Sequence, residues 1–119
     1  DNIAIGPEEG YINVRSWPWG DKTNFVRCIT LDQYFAKHNL TTVNVMKVDI
    51  EGGEVEVLTS ITDDNLKSLR CLSAEFHKSY EEFDEFQNNF VTRMTKLGFR
   101  TFTLYHGNGN LRTLNFWKE

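Results

Sequence analysis

Long apolar runs are missing from this 119-residue chain: no stretch approaches the roughly 20 residues that span a bilayer as a helix. Basic clusters are missing too. The 13 Lys and Arg are scattered singly among 17 Asp and Glu, giving a formal charge of −4 and a pI near 5.4. Nothing here would hold a nucleic acid or an anionic membrane by electrostatics. Cysteine is limited to Cys28 and Cys71, each inside an apolar, strand-like run. Small buried thiols account for them better than a disulfide or a metal pair, and they suit the reducing cytoplasm. Internal repeats and low-complexity segments are absent. The first residues, Asp1, Asn2 and Ile3, carry neither an initiator Met nor a basic leader segment, so the chain reads as a soluble piece of something longer. Its length suits one domain, residues 1–119, with a core of its own.

What is there is organised around residues 43–58. Val43, Val45 and Val48, with Met46 between, form a largely β-branched run expected to be a strand buried on both faces. Asp49 and Glu51 follow at its tip, Gly52 and Gly53 turn the chain, and Val55 and Leu58 restart with helical spacing. Open α/β sheets place ligands at the carboxyl ends of their strands, which makes this tip a candidate site.

Around this centre the punctuation is regular. Ile3–Ile5 and Tyr11–Val14 flank a segment with Gly6, Pro7 and Gly10, which predicts an N-terminal hairpin. Trp17 and Trp19 lie in a Pro- and Gly-bearing loop, where packing is the commoner fate of an indole. Phe25–Ile29 predicts a strand, and Thr30 with Gln33 a capping box opening a helix that aligns Leu31, Tyr34, Phe35 and His38. Thr62 caps a short turn, Leu69–Phe76 is the next strand, and Ser79 with Glu82 forms a second capping box. Phe83, Phe86, Phe90, Met94 and Leu97 then hold the spacing of a core-facing helix that Gly98 ends. Phe99–Tyr105 and Leu111–Trp117 form a closing hairpin around Asn108 and Gly109. Alternating elements of this kind specify an α/β sheet covered by helices.

Several of these residues carry titratable chemistry. Glu75 and His77 end the strand after the central one, so they fall near Asp49 and Glu51. Each acid has a structural competitor, the dipole of the following helix, which favours an anion by about 0.3–1 kcal/mol. That account suffices for Glu54, whereas Asp49 and Glu51 share one strand tip beside two glycines. His77 is balanced between a surface or capping imidazole and a functional group; His38 and His106 are read as structural or surface groups. Asp49, Glu51, Glu75 and His77 have ligand types acceptable to a divalent ion. No local ligand spacing accompanies them, and no metal is expected.

In Leu31–Phe35, Met46–Leu58 and Leu72–His77, taken in that order and spacing, the chain resembles the FkbM-type methyltransferase family. The resemblance implies an α/β, Rossmann-like class I methyltransferase sheet that is N-terminally truncated. Val43–Asp49 and Leu69–Phe76 would be its fourth and fifth strands, and the mixed sheet would end in an antiparallel hairpin whose last strand inserts beside the fifth. It further implies S-adenosylmethionine as cofactor and the hydroxyl of a sugar or secondary metabolite as acceptor. On it, Asp49, Glu51 and Gly52 would line the cofactor, while Asp49, Glu75 and His77 would orient or deprotonate the acceptor. The family's Gly-rich strand-to-helix turn has no counterpart at Gly6, Gly10 or Gly20, so the chain is expected to be an incomplete, inactive piece. The alternative is a non-catalytic α/β interaction or oligomerisation module using Trp17, Trp19 and a strand edge. In either case the Val43–Val48 edge, lacking the first strand of the sheet, is expected to pair with the chain's own N-terminal strands or to form a homodimer.

Overall fold

A computed structural model describes residues 2–15, 23–77, 80–107 and 111–119. Along them run β1 (Ile3–Ile5), β2 (Gly10–Arg15), β3 (Thr23–Ile29), α1 (Leu31–Lys37), β4 (Val43–Val48), α2 (Glu54–Ser60), α3 (Asp63–Lys67), β5 (Leu69–Phe76), α4 (Tyr80–Lys96), β6 (Arg100–His106) and β7 (Leu111–Trp117). Trp17, Trp19, the Ser79 capping box and the Asn108–Gly109 turn lie outside the described residues.

The strands form two mixed sheets rather than the single sheet expected, in the orders β1-β3-β2 and β4-β5-β7-β6. The N-terminal hairpin is corrected. β3 lies between β1 and β2, parallel to the first and antiparallel to the second. Four residues, Gly6 to Glu9, bridge the width of the inserted strand, about 9–10 Å at two strand spacings. The Gly6 amide extends the β1–β3 ladder by donating to the Ile29 carbonyl at 2.9 Å.

The second sheet carries the core. Leu72, Ala74 and Phe76 of β5 and Leu114 and Phe116 of β7 share a buried face, the two-residue alternation that a sheet covered on one side requires. Phe83, Phe90 and Met94 of α4 press onto it, with the Phe76 and Phe83 rings 4.6 Å apart and Phe90 edge-on to Phe116 at 5.4 Å. Gly98, at φ +94°, ends that helix, and the Phe99 amide closes on the Met94 carbonyl at 3.0 Å. The expectation that β4 is buried on both faces is also corrected. Val48 is buried, but Val45 is 67% exposed, because β4 is an edge strand and helices cover one side of the sheet.

The N-terminal strands do not cover that edge with hydrogen bonds, since β1 pairs with β3. Ile5 instead packs against the main core and, with Leu31, Met46, Lys47, Val48, Ile50 and Val57, lines a groove of about 130 Å³ beside β4. The predicted capping box is present: Gln33 N–H donates to Thr30 Oγ1 at 3.1 Å, and Thr30 N–H to Gln33 Oε1 at 3.0 Å. Asp32 then ties α1 to α3, accepting from the Thr62 amide and from Asn65 Nδ2. Among the described residues no helix is long and apolar enough to cross a membrane.

Candidate functional site

Parallel pairing of β4 with β5, in the register Val48 to Ala74, sets the two carboxyl-terminal strand tips side by side. Asp49 follows Val48 immediately; Glu75 and His77 sit two residues apart, a spacing that keeps them on the same side of the strand line. The result is a cluster in which one ligand-type atom each from Asp49, Glu75 and His77 lies within 4.8 Å of the others. His77 Nε2 stands 3.9 Å from Asp49 Oδ1 and 3.9 Å from Glu75 Oε1. These are charge contacts, beyond hydrogen-bond range. Lys47 Nζ approaches the other Asp49 oxygen at 3.3 Å. The side chains of Asp49, Glu75 and His77 are 34%, 26% and 28% exposed, so the tip is open to a ligand.

Beneath the cluster is the residue that sequence reasoning assigned only to a helix dipole. Glu54 opens α2 and is 1% exposed. Its carboxylate accepts the Gly52 amide at 3.1 Å and the Ile50 amide at 3.3 Å, and it meets His77 Nδ1 at 3.1 Å. A carboxylate accepts only, so Nδ1 carries the hydrogen and Nε2 is left facing Asp49 and Glu75. The signal was present in the sequence: Gly53 precedes the helix and has no side chain to cap it, so the loop's amides need an acceptor from elsewhere.

The loop geometry follows from this anchoring. Glu51 has φ +52° and Gly52 φ +125°, and the second of these is a conformation suited to glycine. Glu51 is exposed and stands outside the cluster of Asp49, Glu75 and His77, so the two predicted acids of the β4 tip part company. Gly52 shapes the turn and presents its amide to Glu54. The imidazole of His77 has its pKa raised, chiefly by the hydrogen bond to Glu54. Burial opposes this, and the charges of Glu54, Glu75 and Asp49 reinforce it. The arrangement therefore stabilises positive charge at the tip.

Other candidates fall where their residue types place them. His38 packs its ring on Tyr34 at 4.4 Å, and His106 meets the Thr113 hydroxyl at 3.1 Å on the surface. Both thiols are free, Cys28 buried and Cys71 half-buried. The phenylalanines of α4 are core.

Comparison with curated proteins and with solved structures returned no match. The family model described as the methyltransferase FkbM domain matches residues 2–101 and so includes both strand tips and Glu54. The chain belongs to the methyltransferase FkbM domain family.

Proposed function

We propose that this chain takes part in methyl transfer from S-adenosylmethionine to a hydroxyl group of a small molecule, with the paired tips of β4 and β5 as the acceptor wall. The observation that carries the reading is the convergence of Asp49, Glu75 and an oriented His77 at adjacent parallel strand ends, in a chain of a methyltransferase family. Rossmann-like sheets bind their ligands at such ends.

The residues present fit part of the cofactor. The groove beside Met46, Val48 and Ile50 is apolar and, at about 130 Å³, has room for a single ring system rather than a whole nucleoside with its amino-acid tail. Asp49, which lies in the chain between the groove residues Val48 and Ile50 and pairs one oxygen with Lys47, is the counter-charge for a cation in this reading, and Gly52 leaves the turn without side-chain bulk. When bound, the cofactor supplies an electrophilic methyl group on a positively charged sulfur. The chain's own groups do the rest: the groove orients the bound molecule, the strand tips align the acceptor, and the carboxylates and imidazole receive the proton its hydroxyl gives up.

Amide NMR spectra of the 119-residue chain with millimolar S-adenosylmethionine test this. Shifts concentrated at Asp49 to Gly53 and His77, abolished in Asp49→Asn, support the reading. Shifts that are absent, or confined to another face, overturn it.

A second reading, as an interaction module, is favoured by one observation: β4 is an edge strand with Val45 largely exposed. A second copy of the chain could pair there.

A further inference from the structure

We propose that Asp49, Glu75 and His77 form a binding site for a divalent first-row transition-metal cation. His77 Nε2 and one carboxylate oxygen from each acid converge on a shared point at the strand tips, all within 4.8 Å. Metal bonds of about 2.0–2.2 Å place neighbouring ligand atoms roughly 3.0–3.5 Å apart. The observed separations, 3.9 Å from Nε2 to each carboxylate and no more than 4.8 Å within the trio, are wider than this, so the side chains would draw together on a cation.

Two features distinguish this from acids that merely happen to be near one another. The first is the imidazole, whose ring is already aimed. Nδ1 is engaged by Glu54, a carboxylate buried to 1% exposure and itself fixed by two loop amides. A carboxylate behind a histidine, setting its tautomer and leaving the other nitrogen free as a donor, is the usual support of a metal-bound imidazole. The second is charge. Among the described residues, three carboxylates, from Asp49, Glu54 and Glu75, face one imidazole, and Lys47 meets the outer oxygen of Asp49. Among the described residues, a dication would offset the carboxylate charge that the Lys47 ammonium leaves over. One nitrogen and two oxygen donors select manganese- or zinc-like ions over magnesium or calcium, which favour all-oxygen sites. Three protein ligands leave coordination positions open, the pattern of a site that also takes a substrate oxygen.

Local sequence spacing carries no sign of this site, because its ligands come from two strands some 26 to 28 residues apart that only the parallel register brings together. The inference deepens the proposed function and depends on it only for the cation's role in handling the acceptor, whose proton then goes to a carboxylate oxygen that the cation leaves free, because Nε2 is engaged. Binding is therefore measured without S-adenosylmethionine, and the failure of either reading shows separately.

The experiment is calorimetric titration of the metal-stripped chain with Zn²⁺, together with Mn²⁺ broadening of its amide NMR spectrum. One equivalent of Zn²⁺ should bind, with broadening centred on Asp49, Glu75 and His77. Affinity should fall by at least about tenfold in His77→Ala and in Glu75→Gln, and by about 10–100-fold in Glu54→Gln. Asp64→Asn, on the exposed side of α3, should bind as the parent does. Circular dichroism reports whether each variant is folded; where His77→Ala is not, Glu75→Gln decides. Absence of binding at millimolar metal overturns the proposal, as does affinity indifferent to Glu75→Gln or broadening centred on His38 or His106.

Discussion

The buried carboxylate of Glu54 receives the Nδ1 hydrogen of His77 at 3.1 Å while holding the Ile50 and Gly52 amides, so one side chain fixes both the loop after β4 and the ring at the end of β5. Truncating it leaves buried donors without an acceptor. Glu54→Ala should lower stability by about 3 kcal/mol, since hydrogen bonds to a charged group are worth roughly 1.5–3 kcal/mol each. Glu54→Gln keeps one acceptor oxygen and should lose about half as much. Urea unfolding measures both, and midpoints unchanged from the parent would contradict this account of the loop.

A close contact in the smaller sheet gives a second prediction. A Cβ added at Gly6 would lie 2.3 Å from Cys28 Sγ, and Cys28 is buried. Relieving the clash takes a rotation of the buried Cys28 sulfur into its packed surroundings or a shift of β1 or β3, which are paired backbone to backbone. Gly6→Ala should destabilise by about 1–3 kcal/mol, the range for overpacking. In a Cys28→Ala background, where the sulfur is gone, most of that loss should vanish, with a coupling of at least about 1 kcal/mol in the double-mutant cycle. Strictly additive effects would place the strain elsewhere.

Much of this was legible because local chemistry settled it. Thr30 and Gln33 cap α1 as their spacing requires, and the phenylalanine ladder marks the buried face of α4. Asp49, Glu75 and His77 could be named as neighbours because strand ends followed by polar residues are readable, and parallel pairing was implied by the helices between them. What was not legible depended on pairing that no local pattern encodes. β3 intervenes between β1 and β2, although the segment with Gly6, Pro7 and Gly10 suggests a hairpin, because the choice lies between two partners of similar strand propensity. Val45 looks like a core residue by type and is exposed by its position at the sheet edge. Glu54 looks like a helix-dipole acid and is a buried anchor, a distinction that rests on what the turn before it lacks.

The thiol of Cys28 has its pKa raised, first by burial and then by the charge of Glu8. A thiol held neutral in the native state contributes stability that is fully present below the ordinary thiol range. That contribution is lost as pH rises, because the unfolded chain ionises first and the native chain follows only above its raised pKa. The urea midpoint of the parent should therefore fall relative to that of Cys28→Ala between neutral and alkaline pH. At neutral pH iodoacetamide should modify half-buried Cys71 before Cys28. A pH-independent difference between the two midpoints, or Cys28 labelled first, would count against a buried neutral thiol.

Among the described residues β4 is an outer strand of its sheet, and its far edge is the remaining lever. β5 occupies one side of β4, and on the other a row of backbone groups lies next to an apolar groove, with Val45 67% exposed on the same strand. Strands in this position recruit a further strand unless charge or proline blunts them, and Lys47 is the charged side chain that β4 itself carries. Pairing between two copies would extend each four-stranded sheet across the join and remove both edges from water. Sedimentation velocity over a hundredfold range of concentration should show a monomer–dimer equilibrium. Val45→Lys, which adds a second like charge to each edge, should weaken it by about tenfold or more, since facing like charges are unfavourable across paired strands. Residue 45 lies outside the Asp49, Glu75 and His77 cluster, so the Zn²⁺ affinity of the variant should match the parent's. A parent that sediments as a monomer throughout, or a dimer indifferent to Val45→Lys, would rule this edge out as the association surface.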